Sequence, residues 1–206
     1  MSRPLLSAPL PDFPMAERSG VTPEHFDRLY ASDPDPWKFA TSEYERDKYI
    51  ATLAALPRPR YLRAFEVGCS IGVLTRQLAA RCDAVLAVDV AAAALQQAAT
   101  RCHDLPGVQF ARTVVPQAWP TGKFDLILFS EVLYYLPSAE RLAAARLSLQ
   151  SLLPGGTVIL VNWHGPTDGH CTGDEAAEQV IAACAPVLQP VMQQRAEKYR
   201  IDVLSA

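Results

Sequence analysis

Between Arg63 and Asn162 the chain carries five short apolar runs, "RAFEV", "AVLAVD", "VQFAR", "FDLILFS" and "TVILVN". None reads as a regular apolar–polar alternation. Strands with one face in water alternate, whereas strands buried on both faces read as continuous apolar runs. The stretches between them, "VLTRQLAARC", "AAALQQAATRC" and "SAERLAAARLSLQSLL", are helical in pattern. Strands alternating with helices imply right-handed βαβ units and a mostly parallel sheet. The expected fold is therefore α/β, a Rossmann-like doubly wound sheet. A further helix is predicted from about Asp174 to Cys184. The tail, "LQPVMQQRAEKYRIDVLSA", reads as two strands joined by a tight turn near Glu197 and Lys198.

The region before Tyr61 has a different character. "MSRPLLSAPLPDFPMAERSG" holds four prolines, which remove backbone donors and fix φ, so residues 1–20 are expected to form a poorly ordered arm. "TPEHFDRLYA" reads as a short helix with Thr22 as its cap and Pro23 in its first turn. "SDPDPW" breaks it. "TSEYERDKYIATLAAL" reads as a second helix, ended by Pro57 and Pro59. Residues 21–59 are thus expected to be a helical cover, and residues 60–206 the α/β domain.

A net charge of -3 and the lack of a Lys/Arg-rich block argue against nucleic acid as a partner. No apolar run reaches the length of a membrane span, and the N-terminus lacks the basic-then-apolar pattern of a signal peptide. Cys69, Cys82, Cys102, Cys171 and Cys184 are odd in number and show no Cys-x-x-Cys spacing. They read as reduced thiols in a cytoplasm. No metal site is expected, because His164, His170 and Asp174 match no zinc spacing.

The first strand runs into "FEVGCSIGVLT". Gly68 and Gly72 let the chain turn sharply and approach a ligand closely, with Cys69 between them. The second strand ends in Asp89, followed by Val90. A carboxylate at that point can accept hydrogen bonds from both hydroxyls of a ribose. Such a turn also occurs for folding alone, and a strand-end Asp can be merely solvated. A dinucleotide needs G-x-G-x-x-G, and Ser70 breaks that pattern. Glu66 would repel a pyrophosphate but favour a cation. The sulfonium and ammonium of S-adenosylmethionine fit that sign, so this cofactor is expected rather than NAD.

With these segments in view, the chain resembles the class I methyltransferases. "FEVGCSIG" matches their first motif, "LAVDV" the second, and "FDLILFSEVLYYL" the fourth, followed by "LLPGG". More narrowly, "FDRLYASDPDPWKFATSEYERDKYIATLAAL", "EVGCSIGVLT", "SEVLYYL" and "HCTGDEA" resemble the nodulation protein S family. That resemblance implies a seven-stranded sheet of order 3-2-1-4-5-7-6, its last strand pair antiparallel, with the N-terminal helices over the cofactor. It also implies an acceptor that is a small molecule or an oligosaccharide, such as the glucosamine amine of a deacetylated chitooligosaccharide. A monomer or weak dimer is expected. Methylation of another small-molecule nitrogen or oxygen, and a cofactor-binding module without catalysis, are the rival readings.

Further site residues follow from position. Ser130 and Glu131 would face the methyl-transfer site just past the fourth strand. A carboxylate among Val, Leu and Tyr needs a partner. Tyr134 and Tyr135 would line the acceptor pocket or pack in the core. Glu131, Tyr134 or His164 could take the acceptor's proton, and His170 could orient a sugar hydroxyl. Trp37 would pack over the cofactor or anchor the arm. Tyr44 and Arg46 would reach the methionine carboxylate; Arg46 has an alternative in a surface ion pair with Glu43 or Asp47. Gln117 or backbone groups would bind the adenine amine. Asp174 would cap its helix, and Trp119 would pack on adenine or close its loop.

Overall fold

The structure is a computed structural model in which residues 21–206 are described; the expected arm, 1–20, lies outside them. Seven strands form one sheet: β1 (Tyr61–Val67), β2 (Cys82–Asp89), β3 (Val108–Arg112), β4 (Phe124–Ser130), β5 (Leu152–Trp163), β6 (Gln189–Arg195) and β7 (Tyr199–Ser205). Their order is β3-β2-β1-β4-β5-β7-β6. The first five pair with one another in parallel, while β7 runs antiparallel to both β5 and β6. The reversal follows from the short turn after β6, which sends β7 back beside its own predecessor.

Every residue of β4 is buried, Asp125 included, whose carboxylate accepts from the backbone N–H groups of Leu62 and Arg63. On one face Phe65, Phe124, Ile127 and Phe129 pack beneath α5 (Ser138–Ser151) and α6 (Gly173–Cys184). On the other, Leu126, Leu128 and Ile159 meet α2 (Glu43–Ala54), α3 (Val73–Leu78) and α4 (Ala92–Arg101). Each fully buried Leu, Ile or Phe contributes roughly 1.5–3 kcal/mol. In β7 the sequence "RID" places Arg200 and Asp202 on one face, two residues apart. The buried guanidinium donates to both Asp202 oxygens, at 2.8 and 2.7 Å, so neither charge is left unpaired in the core.

Thr22 caps α1 (Pro23–Ser32) by accepting from the N–H of His25, and Ser42 caps α2. The cap of α6 differs from the expected Asp174. Thr172 and Glu175 exchange hydrogen bonds in a capping box, while Asp174 pairs with Arg195 at 2.8 Å and Arg200 at 3.3 Å. Helix α1 docks on the sheet edge through Asp27. Its two oxygens accept from the backbone N–H of Ala92 at 2.8 Å and from Arg112 at 2.6 Å.

Two glycines shape the turn after β1, for different reasons. Gly68 has φ +82, and a Cβ there would lie 2.8 Å from the carbonyl oxygen of Ser130. Its lack of a side chain lets the turn sit against the exit of β4. Gly72 has φ +76, and a Cβ there would lie 2.9 Å from Ala98 on α4. The expected approach of Gly72 to a ligand is therefore corrected: this glycine allows α3 and α4 to touch.

Candidate active site

At the carboxyl ends of β1, β2 and β4 lies a cavity of about 470 Å³. That size and place are ordinary for a small-molecule site in a doubly wound sheet. The floor is Val67 to Ser70, Val88 to Val90, Thr113 to Val115 and Ser130 to Val132; the roof comes from α1, α2 and the segment between them.

One half is built like a nucleoside site. Asp89 lines the cavity, and its two oxygens accept from the backbone N–H groups of Ser70 and Ala91, each at 2.9 Å. Each oxygen keeps a lone pair for a ribose hydroxyl. Burial raises the pKa of Asp89, and the N–H groups of Ala91 and Ser70 oppose that rise. Above the turn, Tyr30 and Ser70 share a short hydroxyl–hydroxyl hydrogen bond. Tyr30, Trp37 and Phe39 form a continuous aromatic roof, with ring centroids 5.7 and 5.5 Å apart. Cys69 also lines the cavity, and burial pushes its thiol well above the ordinary value, so it acts as a small neutral wall. The cradle, the pinned carboxylate and the apolar roof fit S-adenosylmethionine.

The other half centres on Glu131, whose φ of +56 is unusual for a residue with a side chain. Its Oε1 accepts from the Lys48 ammonium at 2.7 Å. Its Oε2 accepts from the Trp163 N–H at 2.7 Å and the Tyr134 hydroxyl at 3.0 Å. Burial, and then the charge of Glu131, push the Tyr134 phenol well above its usual range. The same causes push Tyr135 up to about 12. Tyr135 packs edge-on against Phe26 of the roof, and Asp168, His170 and Glu140 complete the lining.

The cavity thus gathers Trp37, Tyr44, Gly68, Cys69, Asp89, Val90, Ser130, Glu131, Tyr134, Tyr135 and His170. Glu66, Arg46, Gly72 and His164 do not line it. Arg46 lies on the outer face of α2 against Asp47, at 3.4 Å, and Glu43, at 3.9 Å, because a two-residue step along the helix turns it away from the buried Lys48. His164 donates from Nε2 to the carbonyl of Ala196 at 3.0 Å, behind the cavity. Gln117 is held by Glu140 at 2.8 Å, and Trp119 closes its loop by packing on Phe65 and bonding Ser151. Lys48, Glu45, Tyr30, Glu140 and Asp168 were not foreseen as site residues. The available signal for Lys48 was its place four residues after Tyr44 and three after Glu45, on one side of α2.

Glu66 is wholly inside the sheet core, not at the ligand. Burial raises its carboxyl from 4.5 to about 7; the Thr75 hydroxyl offsets part of this, and the charge of Asp89 adds to it. The native state therefore keeps this proton at pH values where the unfolded chain has lost it. The stability that Glu66 contributes therefore falls as pH rises from about 4.5 to about 7 and then levels. Between pH 5 and pH 8, Glu66→Gln should gain roughly 2 kcal/mol of stability relative to the parent. Urea unfolding of both proteins without ligand tests this; parallel pH dependences would refute it.

The sheet order, the glycine turn and the pinned Asp89 define a class I S-adenosylmethionine-dependent methyltransferase. The model of the nodulation protein S family matches residues 25–197, and the chain belongs to that family. Nodulation protein S of Rhizobium tropici is 32% identical over 169 residues, spanning 80% of this chain and 69% of that protein. Its counterpart in Bradyrhizobium diazoefficiens is 33% identical over 153 residues, 72% of each. The crystal structure of N-methyltransferase NodS from Bradyrhizobium japonicum WM9, in complex with S-adenosyl-L-homocysteine, shares the fold. It matches with a TM-score of 0.75 and 24% identity, covering 88% of this chain and 96% of that one. Among the described residues no helix is long and apolar enough to cross a membrane, and no cluster of His, Cys, Asp and Glu could hold a metal ion.

Proposed function

We propose that the acceptor is a primary amine on a neutral, hydroxyl-rich molecule, such as the glucosamine amine of a deacetylated chitooligosaccharide. One observation carries this reading. The described lining holds the carboxylates of Glu45, Asp89, Glu131, Glu140 and Asp168, against a single ammonium, Lys48, that two of them already occupy. Such a cavity repels a carboxylate or phosphate acceptor and attracts an amine. The solved relative named as an N-methyltransferase supports nitrogen as the accepting atom.

When bound, S-adenosylmethionine supplies a methyl group on a sulfonium, which passes in line to the amine lone pair as the sulfur–carbon bond breaks. Asp89 and the Gly68 turn hold the nucleoside. Glu131 offers its remaining Oε1 lone pair to an amine N–H and so aims the nitrogen. Positioning of this kind can supply roughly 7–11 kcal/mol. Three donors already engage Glu131, so we assign it the aiming of the amine and not the uptake of its proton. Tyr134 is unsuited as well, because its phenol is pushed up and already donates to Glu131. The ammonium drawn to the cavity therefore gives its proton to water at the mouth, and the neutral amine that remains takes the methyl group; the product ammonium loses its proton by the same route. We take residues 21–59 as the cover and 60–206 as the catalytic domain, because α1 and α2 line the cavity without joining the sheet. We also assign the reaction to the cytoplasm, a reading that the five free cysteines support.

A screen with methyl-labelled S-adenosylmethionine tests the acceptor. Deacetylated chitooligosaccharides and simple amino sugars should become labelled on nitrogen, and dicarboxylates and phosphoesters should not. Labelling confined to carboxylates or hydroxyls would overturn the reading.

A further inference from the structure

Lys48 is only 2% exposed, yet it carries an ammonium into the wall of the cavity. That ammonium lies 2.7 Å from Oε1 of Glu131 and 3.1 and 3.0 Å from the two oxygens of Glu45; it also sits 5.3 Å from the centre of the Tyr44 ring. Burial opposes its charge, but Glu131 and Glu45 outweigh that and hold it above its ordinary value. A buried lysine is a poor way to fill space, and apolar side chains of similar volume do so at least as well. Its link to Glu131 joins residues 83 positions apart, one on the cover helix and one at the exit of β4. Trp163 and Tyr134 hold only Oε2, so the cover fixes the other oxygen of the same carboxylate. The left-handed backbone of Glu131 turns that side chain toward the cover.

We propose that Lys48 is a positioning residue that clasps the cover helix to Glu131, so that docking of the cover and orientation of the acceptor-facing carboxylate are one event. Opening the cover to exchange cofactor for product would release the same carboxylate. The acceptor-facing carboxylate is then in place only while the cover is docked.

The test uses the full chain with S-adenosylhomocysteine bound. In Lys48→Met, backbone amides of residues 43–54 should exchange hydrogen about tenfold faster or more, with β4 and β5 unchanged. Glu131→Gln breaks the link from the other side and should loosen the same segment, whereas Lys48→Arg should stay within about threefold of the parent. These two variants decide the matter if Lys48→Met fails to fold. With deacetylated chitotetraose as acceptor, Lys48→Met should lower kcat/KM by about tenfold or more while homocysteine-product affinity holds within about threefold. In the Glu131→Gln background it should add almost nothing, since it acts through that carboxylate. Unchanged exchange at 43–54 would overturn the proposal, and so would additive losses in the double variant. A loss of product affinity beyond about tenfold would make Lys48 a cofactor ligand instead. The kinetic arm rests on the amine reading and the exchange arm does not. If chitotetraose is not methylated by the parent, the amine reading falls while exchange still decides the clasp.

Discussion

Glu131→Gln is expected to lower the specificity constant for the acceptor by roughly 10²-fold, the scale seen when one preorganised electrostatic contact is removed from an active site. The shape of the side chain is kept. What goes is the charge that aims the amine and holds Lys48. An amide must also turn its NH₂ toward either the Lys48 ammonium or the Trp163 N–H, both of which are donors. Affinity for S-adenosylhomocysteine should change little, because the nucleoside half of the cavity is built from other residues. In the parent, kcat/KM for the acceptor should rise with pH until the free amine is largely neutral. The same rise should persist in the variant, since it belongs to the substrate. Stopped-time methyl transfer across pH, alongside calorimetry with the product, separates these quantities. A fully active Glu131→Gln would remove Glu131 from acceptor handling.

Asp89→Ala should weaken S-adenosylhomocysteine binding by roughly 30- to 150-fold, about 2–3 kcal/mol. That is the upper part of the range for hydrogen bonds to a charged group, because two ribose hydroxyls lose their acceptor. The backbone N–H groups of Ser70 and Ala91 lose theirs too, which loosens the turn that carries the cofactor. Asp89→Asn keeps one acceptor oxygen and should lose less. Calorimetry on folded variants reads the effect, and equal affinities for all three proteins would show that the ribose sits elsewhere.

The legible parts of the site were those fixed by local chain geometry. A buried strand, a glycine with positive φ and a strand-end carboxylate occur in that order along the chain. Asp89, Gly68 and Cys69 could therefore be read from β1 and β2 without knowing their neighbours. Glu131 was legible for a related reason: a carboxylate in an apolar run needs a partner wherever it lies. Arg46 and Lys48 mark the limit. Both are cations on one helix, two residues apart, and an arginine looked better suited to a carboxylate. A two-residue step on a helix turns the side chain by about 200°, so one of the pair had to face outward. Which one did was decided by where α2 docks. Glu66 and His164 are similar cases, since their chemistry suited the ligand but their side chains face the core and the β6–β7 turn.

The amino-acid sequence by itself determined the sheet, its alternation with helices, the cofactor cradle and the family, because each depends on residue types and spacings within a continuous segment. Only the tertiary structure decided the acceptor half. The Glu131 carboxylate is held by Lys48, Tyr134 and Trp163, from a helix before the sheet, a turn after β4 and the end of β5. Contacts between such distant positions carry no spacing rule. They form because packing of the cover on the sheet buries charges that must then find one another.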